Sequence, residues 1–380
     1  MALTNTQQAF ELIKKSKGIL IAFKSDWSGD AIASALALGQ ILTKFDKQVD
    51  IVCSGLSKKP GNLDFLPIEQ IKSKLENLQK LVISIKTSKA QVGEFYYDHG
   101  KDSLNIYISP QGGKFDIKDI TTTQSDYKYD LIITVDTPDI ESLGKMFDDN
   151  NDFFHTTPKI NIDHSQHNEY FGNVNIVDLT AASTTEIIYD VIKEFDQKLL
   201  DEDINTYILG GIIIATKNFK LPNITPKTLS TASKLIKAGA RREEIIQHLY
   251  QNRFISTLKL WGRVLSRLNN DMDDKLVWSS ISAQDFLETS TSPSEIIDVI
   301  DELIVSMPKT EIIVLLYEIQ SNSHSSIKCI VYSVKNINSL SISKKFDPRG
   351  NREIAKFSLS DISLIEAERM VVGEIKEKLS

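Results

Sequence analysis

This 380-residue chain predicts an α/β fold: a parallel sheet with helices on both faces, followed by a smaller α+β domain across a cleft. Three observations predict it. Short apolar runs recur through the first half: Gly18–Phe23 (GILIAF), Lys47–Cys53, Leu81–Ile85, Asp130–Val135 (DLIITV) and Lys159–Ile162. Helical patterns separate most of them, and fully apolar strands alternating with helices mark a sheet covered on both sides. From Asp201 the pattern turns helical, and beyond Asn270 it mixes strands with helices.

Taken in order, GILIAF runs into SDWSGD and then the helical AIASALALGQIL. Further helices are expected over Ile140–Phe147 and Ser183–Phe195. Gly93–Pro110 breaks the rhythm, with two alternating aromatic and β-branched runs joined by DHGKDS, which is a hairpin inserted at about 91–118. It is read as an edge decoration, with docking of a protein partner or a second copy as the sharper alternative. Ile204–Thr216 is apolar all round and therefore a buried helix. Pro226–Ala238 and Arg241–Tyr250 are amphipathic, and Phe254–Leu268 repeats apolar residues at helical spacing as a linker helix. Strands at Lys275–Ser280, Glu311–Glu318 and Ser326–Ser333, with helices at Pro293–Met307 and Ile362–Leu379, complete the chain. The expected division is 1–240, a linker at 241–270, and 271–380.

Composition excludes several classes. With 41% apolar and 25% charged residues the chain is ordinary globular protein, neither collagen-like nor disordered. The longest apolar run, near Tyr207–Thr216, is far short of the roughly 20 residues a bilayer span needs. The N-terminal segment lacks an apolar core behind a basic start, and both cysteines, Cys53 and Cys329, sit in apolar runs. A cytoplasmic protein without membrane contact or disulfides is expected. The net charge of −7 argues against loose binding to long nucleic acid, though a small basic groove is compatible with it.

Chemistry in an open parallel sheet gathers beyond the carboxyl ends of its strands. Those loops here are Ser25–Asp30, Asp136–Asp139 and Asp163–His167, each with aspartate and the last with histidine. Each Asp alone is most simply a helix cap or turn residue. Together they repel one another and need a cation among them, a metal or a lysine. Carboxylate with imidazole suits Mn²⁺, Mg²⁺ or Zn²⁺.

Several segments, in order, resemble the motifs of the DHH phosphoesterase family, in its bacterial oligoribonuclease/pAp-phosphatase (nanoRNase) branch. FKSDWSGDAIASALAL resembles the first motif, roughly H-x-N-P-D-G-D-A-x-G-S. DLIITVDTPDIESLG resembles the second, and INIDHSQHNEYFGNVNIVDLTAASTTEIIYDVI the D-H-H motif with its downstream helix. GGIIIATKNFKLPNITPKTL, KLWGRVLSRL and FDPRGNREIAKFSL match later segments of the family.

The resemblance implies two Mn²⁺ ions bridged by an aspartate, activating water for phosphoester cleavage. Asp30, Asp136, Asp163 and His164 remain from that set, with Asp163 and His164 in the catalytic motif. The first-motif histidine is Lys24, its first aspartate Ser28, the second histidine of D-H-H Ser165, and the fourth-motif aspartate Ala215. In the second domain G-G-G-H becomes Pro348, Arg349, Gly350 and Asn351, and the strand arginine becomes Tyr332. Asp30, Asp136 and His164 are thus expected to form at most one residual site for Mn²⁺ or Mg²⁺. Lys24 is expected to replace the other metal's charge by pairing with Asp136. Arg349, Arg352 and Lys356 form a basic cluster where the family holds the substrate phosphate, or a solvated loop. The expectation is a degenerate phosphoesterase that binds a nucleotide or short RNA, or serves as a protein partner or scaffold. The alternative is a single-metal phosphodiesterase or phosphatase.

Overall fold

A computed structural model of the chain describes residues 3–56, 60–221, 223–251, 255–296, 300, 307, 309–321, 324–335 and 337–379. It divides into two compact units, residues 1–215 with 225–242, and 216–224 with 243–380.

In the first unit the helix α1 (Asn5–Lys15) precedes β1 (Gly18–Ala22), α2 (Gly29–Thr43), β2 (Gln48–Val52) and the short β3 (Ile71–Lys72). An insertion follows, made of β4 (Leu81–Ile85), β5 (Gln91–His99), β6 (Leu104–Gln111) and β7 (Ile120–Gln124). The chain then returns through β8 (Leu131–Val135), α3 (Lys145–Asp148), α4 (Asn151–Thr156), β9 (Lys159–Asp163), β10 (Val174–Val177) and α5 (Thr184–Asp196). Helices α6 (Glu202–Ala215) and α7 (Pro226–Lys237) complete the unit.

Six strands form one parallel sheet in the order β10-β9-β8-β1-β2-β3. Strands β1, β8 and β9 are buried along their whole length; β1 and β8 accordingly read as nearly unbroken apolar runs, whereas β9 buries Lys159, Asn161 and Asp163 along with its isoleucines. From β1 the chain builds outward on one side through β2 and β3, then resumes on the other side through β8, β9 and β10. The strand order therefore reverses between β1 and β8, the place where open parallel sheets form a crevice.

Two expectations need correction in this unit. Leu81–Ile85 is no strand of the parallel sheet: it pairs antiparallel with β7 in a separate two-stranded ribbon, exposed except at Ile85. The sheet's third strand on that side is the two-residue β3, too short to show a pattern. The helix expected over Ile140–Phe147 is broken by Gly144 at φ +63°, which separates a 3₁₀ turn at Glu141–Leu143 from α3. A side chain at Gly144 would also stand 3.0 Å from Ser25 Oγ. The aromatic hairpin is present as β5 and β6, nested between β4 and β7.

The second unit holds α8 (Arg242–Ile246, its first residue at the division), a π-helical turn at Gln247–Gln251, and α9 (Ile255–Ser266). After them come β11 (Asn269–Asp271), β12 (Leu276–Ile281), α10 (Ala283–Thr289), β13 (Ile312–Ser321) and β14 (His324–Ser333). The chain ends with α11 (Ser339–Ile342), β15 (Arg349–Gly350), β16 (Ile354–Ser360) and α12 (Leu364–Leu379). Its sheet runs β11-β12-β13-β14-β16-β15, antiparallel except where β12 meets β13. Val314, Leu316 and Cys329 pack on one face with Val371 and Ile375 of α12. Ile313, Leu315 and Ile330 pack on the other with Leu260, Trp261 and Val264 of α9. The segment expected as a linker helix is thus part of this unit's own core. The helix expected at Pro293–Met307 falls largely outside the described residues.

Helix α6 lies close against α2 and α5 through Gly211. A Cβ on Gly211 would meet Thr185 Cγ2 at 2.4 Å and Asp30 Oδ1 at 2.9 Å. We expect Gly211→Ala to destabilise the first unit by about 1–3 kcal/mol, the usual range for overpacking. A melting temperature equal to wild type would show that α6 can retreat without loss.

Candidate functional site

At the switch point the loops leaving β1, β8 and β9 bring Lys24, Ser28, Asp30, Asp136, Asp163 and His164 into one cluster. Each carboxylate is held differently. Asp30 is buried in the first turn of α2. It accepts the Thr184 N–H at 2.7 Å, the Thr185 N–H at 3.1 Å and the Thr185 hydroxyl at 2.8 Å. Those amides open α5, whose first N–H groups lack partners within the helix, so an anion there is favoured. Burial, with Asp136 nearby, still pushes the Asp30 carboxyl up to about 6.

Asp136 follows β8 in the left-handed region at φ +48°, which aspartate tolerates better than most residues. Its N–H donates to Ile162 O, continuing the β8–β9 ladder by one residue. That turn aims the carboxylate at the loop after β1. Asp136 Oδ2 accepts the Ser28 hydroxyl at 2.5 Å and pairs with Lys24 Nζ at 3.0 Å. Ser28 does two jobs, since its oxygen also accepts the Ala31 N–H and caps α2. Burial alone would lower the Lys24 pKa. The attraction and hydrogen bond of Asp136, helped by Asp163 and Asp30, outweigh it and hold the ammonium above its usual value.

Asp163 is fully buried and serves as an anchor. It accepts the His164 and Ser165 N–H groups and the Asn168 side-chain amide at 2.7 Å. Burial raises its pKa. Asn168 also donates to Asn161, which in turn donates to Thr134 and to Thr137 O. His164 Nδ1 lies 3.0 Å from Thr184 Oγ1 and 3.7 Å from Asp136 Oδ1.

The expected pairing of Lys24 with Asp136 is therefore present, and Asp30, Asp136 and His164 do converge. Sequence reasoning missed what Ser28 gains in place of metal ligation. It also missed Asn161, Asn168 and the amides of Thr184 and Thr185. The Ser183 cap ahead of α5 was the one local signal that a helix N-terminus stands there. Arg349, Arg352 and Lys356 belong to the second unit, where Arg349 lies across β15–β16 from Lys356.

Donor atoms of Asp30, Asp136 and His164 lie within 4.8 Å of one another. That is close to the span of two metal–ligand bonds of about 2.1–2.3 Å, and the set of two carboxylates and an imidazole suits a divalent cation. Asp136 Oδ2 is engaged by the ammonium of Lys24 and the hydroxyl of Ser28.

The model of the DHH family N-terminal domain matches residues 19–216. The chain belongs to the DHH family, whose phosphoesterases are generally dependent on divalent metals. Among curated proteins it is 37% identical over 107 residues to the bifunctional oligoribonuclease and PAP phosphatase NrnA of Thermus thermophilus, covering 28% of this chain and 32% of that protein. It is 29% identical over 146 residues to NrnA of Bacillus subtilis, covering 38% of this chain and 44% of that protein. The matches thus span less than half the length of these relatives. An exopolyphosphatase-related protein from Bacteroides fragilis shares the fold at a TM-score of 0.72 and 16% identity, covering 98% of this chain and 96% of that one. Among the described residues no helix is long and apolar enough to cross a membrane.

Removing the ammonium leaves Asp136 buried beside Asp30 with less compensation. Breaking a buried pair by truncating one partner costs about 3–5 kcal/mol. Lys24 is 28% exposed, so Lys24→Ala is expected to destabilise by about 2 kcal/mol. Mn²⁺ should raise the melting temperature of this variant more than that of wild type. An unchanged melt without metal would show Lys24 to be merely solvated.

Proposed function

We propose that this chain is a DHH-family protein that binds a nucleotide or short oligoribonucleotide without two-metal hydrolysis. The observation that carries the reading is the Lys24 ammonium 3.0 Å from Asp136 Oδ2. Two-metal cleavage needs one cation to activate water and both to clamp the attacking and leaving oxygens. A lysine supplies charge but has no open coordination position for water. The ligand class follows from the relatives, which are named as an oligoribonuclease and PAP phosphatase. Arg349, Arg352 and Lys356 are assigned here to the ligand's phosphate.

A second reading, a single-metal phosphodiesterase or phosphatase on the same substrates, is favoured by the Asp30–Asp136–His164 set. The two are separated by paired assays on the full chain with Mn²⁺. We expect calorimetric binding of pAp or a short oligoribonucleotide and no cleavage. Turnover in the ordinary enzyme range of about 1–10³ s⁻¹, abolished by Asp136→Ala, would establish the second reading instead.

Restoring the ligand types is the converse test. Lys24→His combined with Ser28→Asp should bind Mn²⁺ at least tenfold more tightly than wild type, about 1.4 kcal/mol, as read by calorimetry. Equal affinity would mean that the ammonium does not stand where a cation binds.

A further inference from the structure

Trp27 is the largest side chain in the loop between β1 and α2, and it has no specific partner. It is half-buried. Among the described residues no ring stacks on its indole and no group accepts its Nε1 hydrogen. A covered indole N–H usually finds an acceptor. The chain's other two tryptophans are placed differently. Trp278 donates to Glu368 at 2.9 Å and lies under the Lys376 ammonium, and Trp261 is packed in a core of the second unit.

The backbone that carries Trp27 is fixed from both sides. The Lys24 N–H donates to Thr137 Oγ1 at 3.0 Å, and the Ser25 N–H and hydroxyl both donate to Ser142 O. A Cβ on Gly55 would stand 1.7 Å from Ser25 O, so the loop after β2 closes directly on this one. Ser28, the next residue, caps α2 and donates to Asp136 Oδ2 at 2.5 Å. One peptide step of about 3.8 Å separates the Cα of Trp27 from that of a residue touching the cluster.

We propose that Trp27 is the base-stacking residue of the site: when a phosphate of the ligand sits at the cluster, the indole takes the ligand's nucleobase. This rests on the nucleotide reading above and adds which part of the nucleotide is recognised. Three points select a nucleobase. The indole is a broad π-surface on a fixed loop, and every base has a π-face to lay on it. The crevice holds Asp30, Asp136 and Asp163 against one lysine, so charge attraction for a nucleotide is weak there. Stacking is an uncharged contact and supplies affinity that the local charge does not. Finally, one sugar separates a phosphate from its base, and a single residue separates Ser28 from Trp27.

A competing role is structural. Trp27 precedes the Ser28 cap, the position from which an apolar side chain packs on the fourth residue of the helix, here Ile32. Leucine would serve that role as well as tryptophan, whereas it offers a base no ring.

Adenosine 5′-monophosphate and ribose 5-phosphate share sugar and phosphate and differ by the base. Both are titrated into the full chain with Mn²⁺, by calorimetry and by tryptophan fluorescence. Wild type should bind the adenosine ligand about fivefold or more tightly than ribose 5-phosphate, with quenching. Trp27→Leu should lose about 5- to 150-fold of that affinity, the change that stacking one base gives. It should also lose the quenching, bind ribose 5-phosphate as wild type does and keep the wild-type melting temperature. Trp27→Phe should retain most of the affinity. Equal affinity of wild type and Trp27→Leu for the adenosine ligand overturns this proposal alone, as does equal affinity of wild type for the two ligands. If Trp27→Leu fails to fold, the two-ligand comparison in wild type and in Trp27→Phe decides. Wild type that binds neither adenosine 5′-monophosphate nor pAp overturns the nucleotide reading, and this proposal with it.

Discussion

Uncompensated negative charge is the constraint on which the first unit's organisation depends. The order of the parallel sheet places the ends of β1, β8 and β9 side by side, so the aspartates that follow them arrive together. Asp30, Asp136 and Asp163 are all almost fully buried. Each would be driven toward protonation or apart from the others without partners. The fold answers with three different devices. Backbone amides of α5 hold Asp30, the Lys24 ammonium and the Ser28 hydroxyl hold Asp136, and an asparagine relay holds Asp163. The first and third use neutral dipoles, and only the second brings a full positive charge.

That division explains why Lys24 matters more than a lysine at a strand end usually would. Two of the carboxylates would keep their hydrogen bonds whatever stood at position 24. Asp136 would keep the Ser28 hydroxyl but lose its ammonium partner, because its left-handed backbone turn points the side chain back toward the β1 loop. A histidine or aspartate in the β1 loop would share that carboxylate with a metal. Lysine and serine satisfy it directly. In this chain the residues at 24 and 28 give Asp136 an internal ion pair and a hydroxyl hydrogen bond.

How much of this could be read beforehand differs by element. β1 and β8 were legible because burial on both faces leaves a nearly unbroken apolar run. Leu81–Ile85 carries the same kind of run yet stands exposed in a ribbon. Local composition reports β propensity, not what covers the strand. β3 and β10 were missed because two to four residues hold no period. The clustering of Asp30, Asp136 and His164 was legible from the rule that strand-end loops share one edge. The asparagine relay was not, since no local pattern ties Asn161 and Asn168 to Thr134 and Asp163 across separate loops.

The charge balance also bears on what the cluster can hold. Asp30, Asp136 and Asp163 face a single lysine, and the α5 amides that could welcome a phosphate are already taken by Asp30. An anionic ligand at this place therefore meets net repulsion unless more positive charge is supplied. A cation on Asp30, Asp136 and His164 would reverse the local sign and give phosphate oxygens something to coordinate. It would also relieve Asp30, whose raised pKa marks a carboxylate still short of compensation. Ligand binding and the residual metal site are then not rival properties of the cluster. A cation held by Asp30, Asp136 and His164 would make the acidic crevice hospitable to a phosphate, and on the function proposed above Lys24 would stand in the place of a second one.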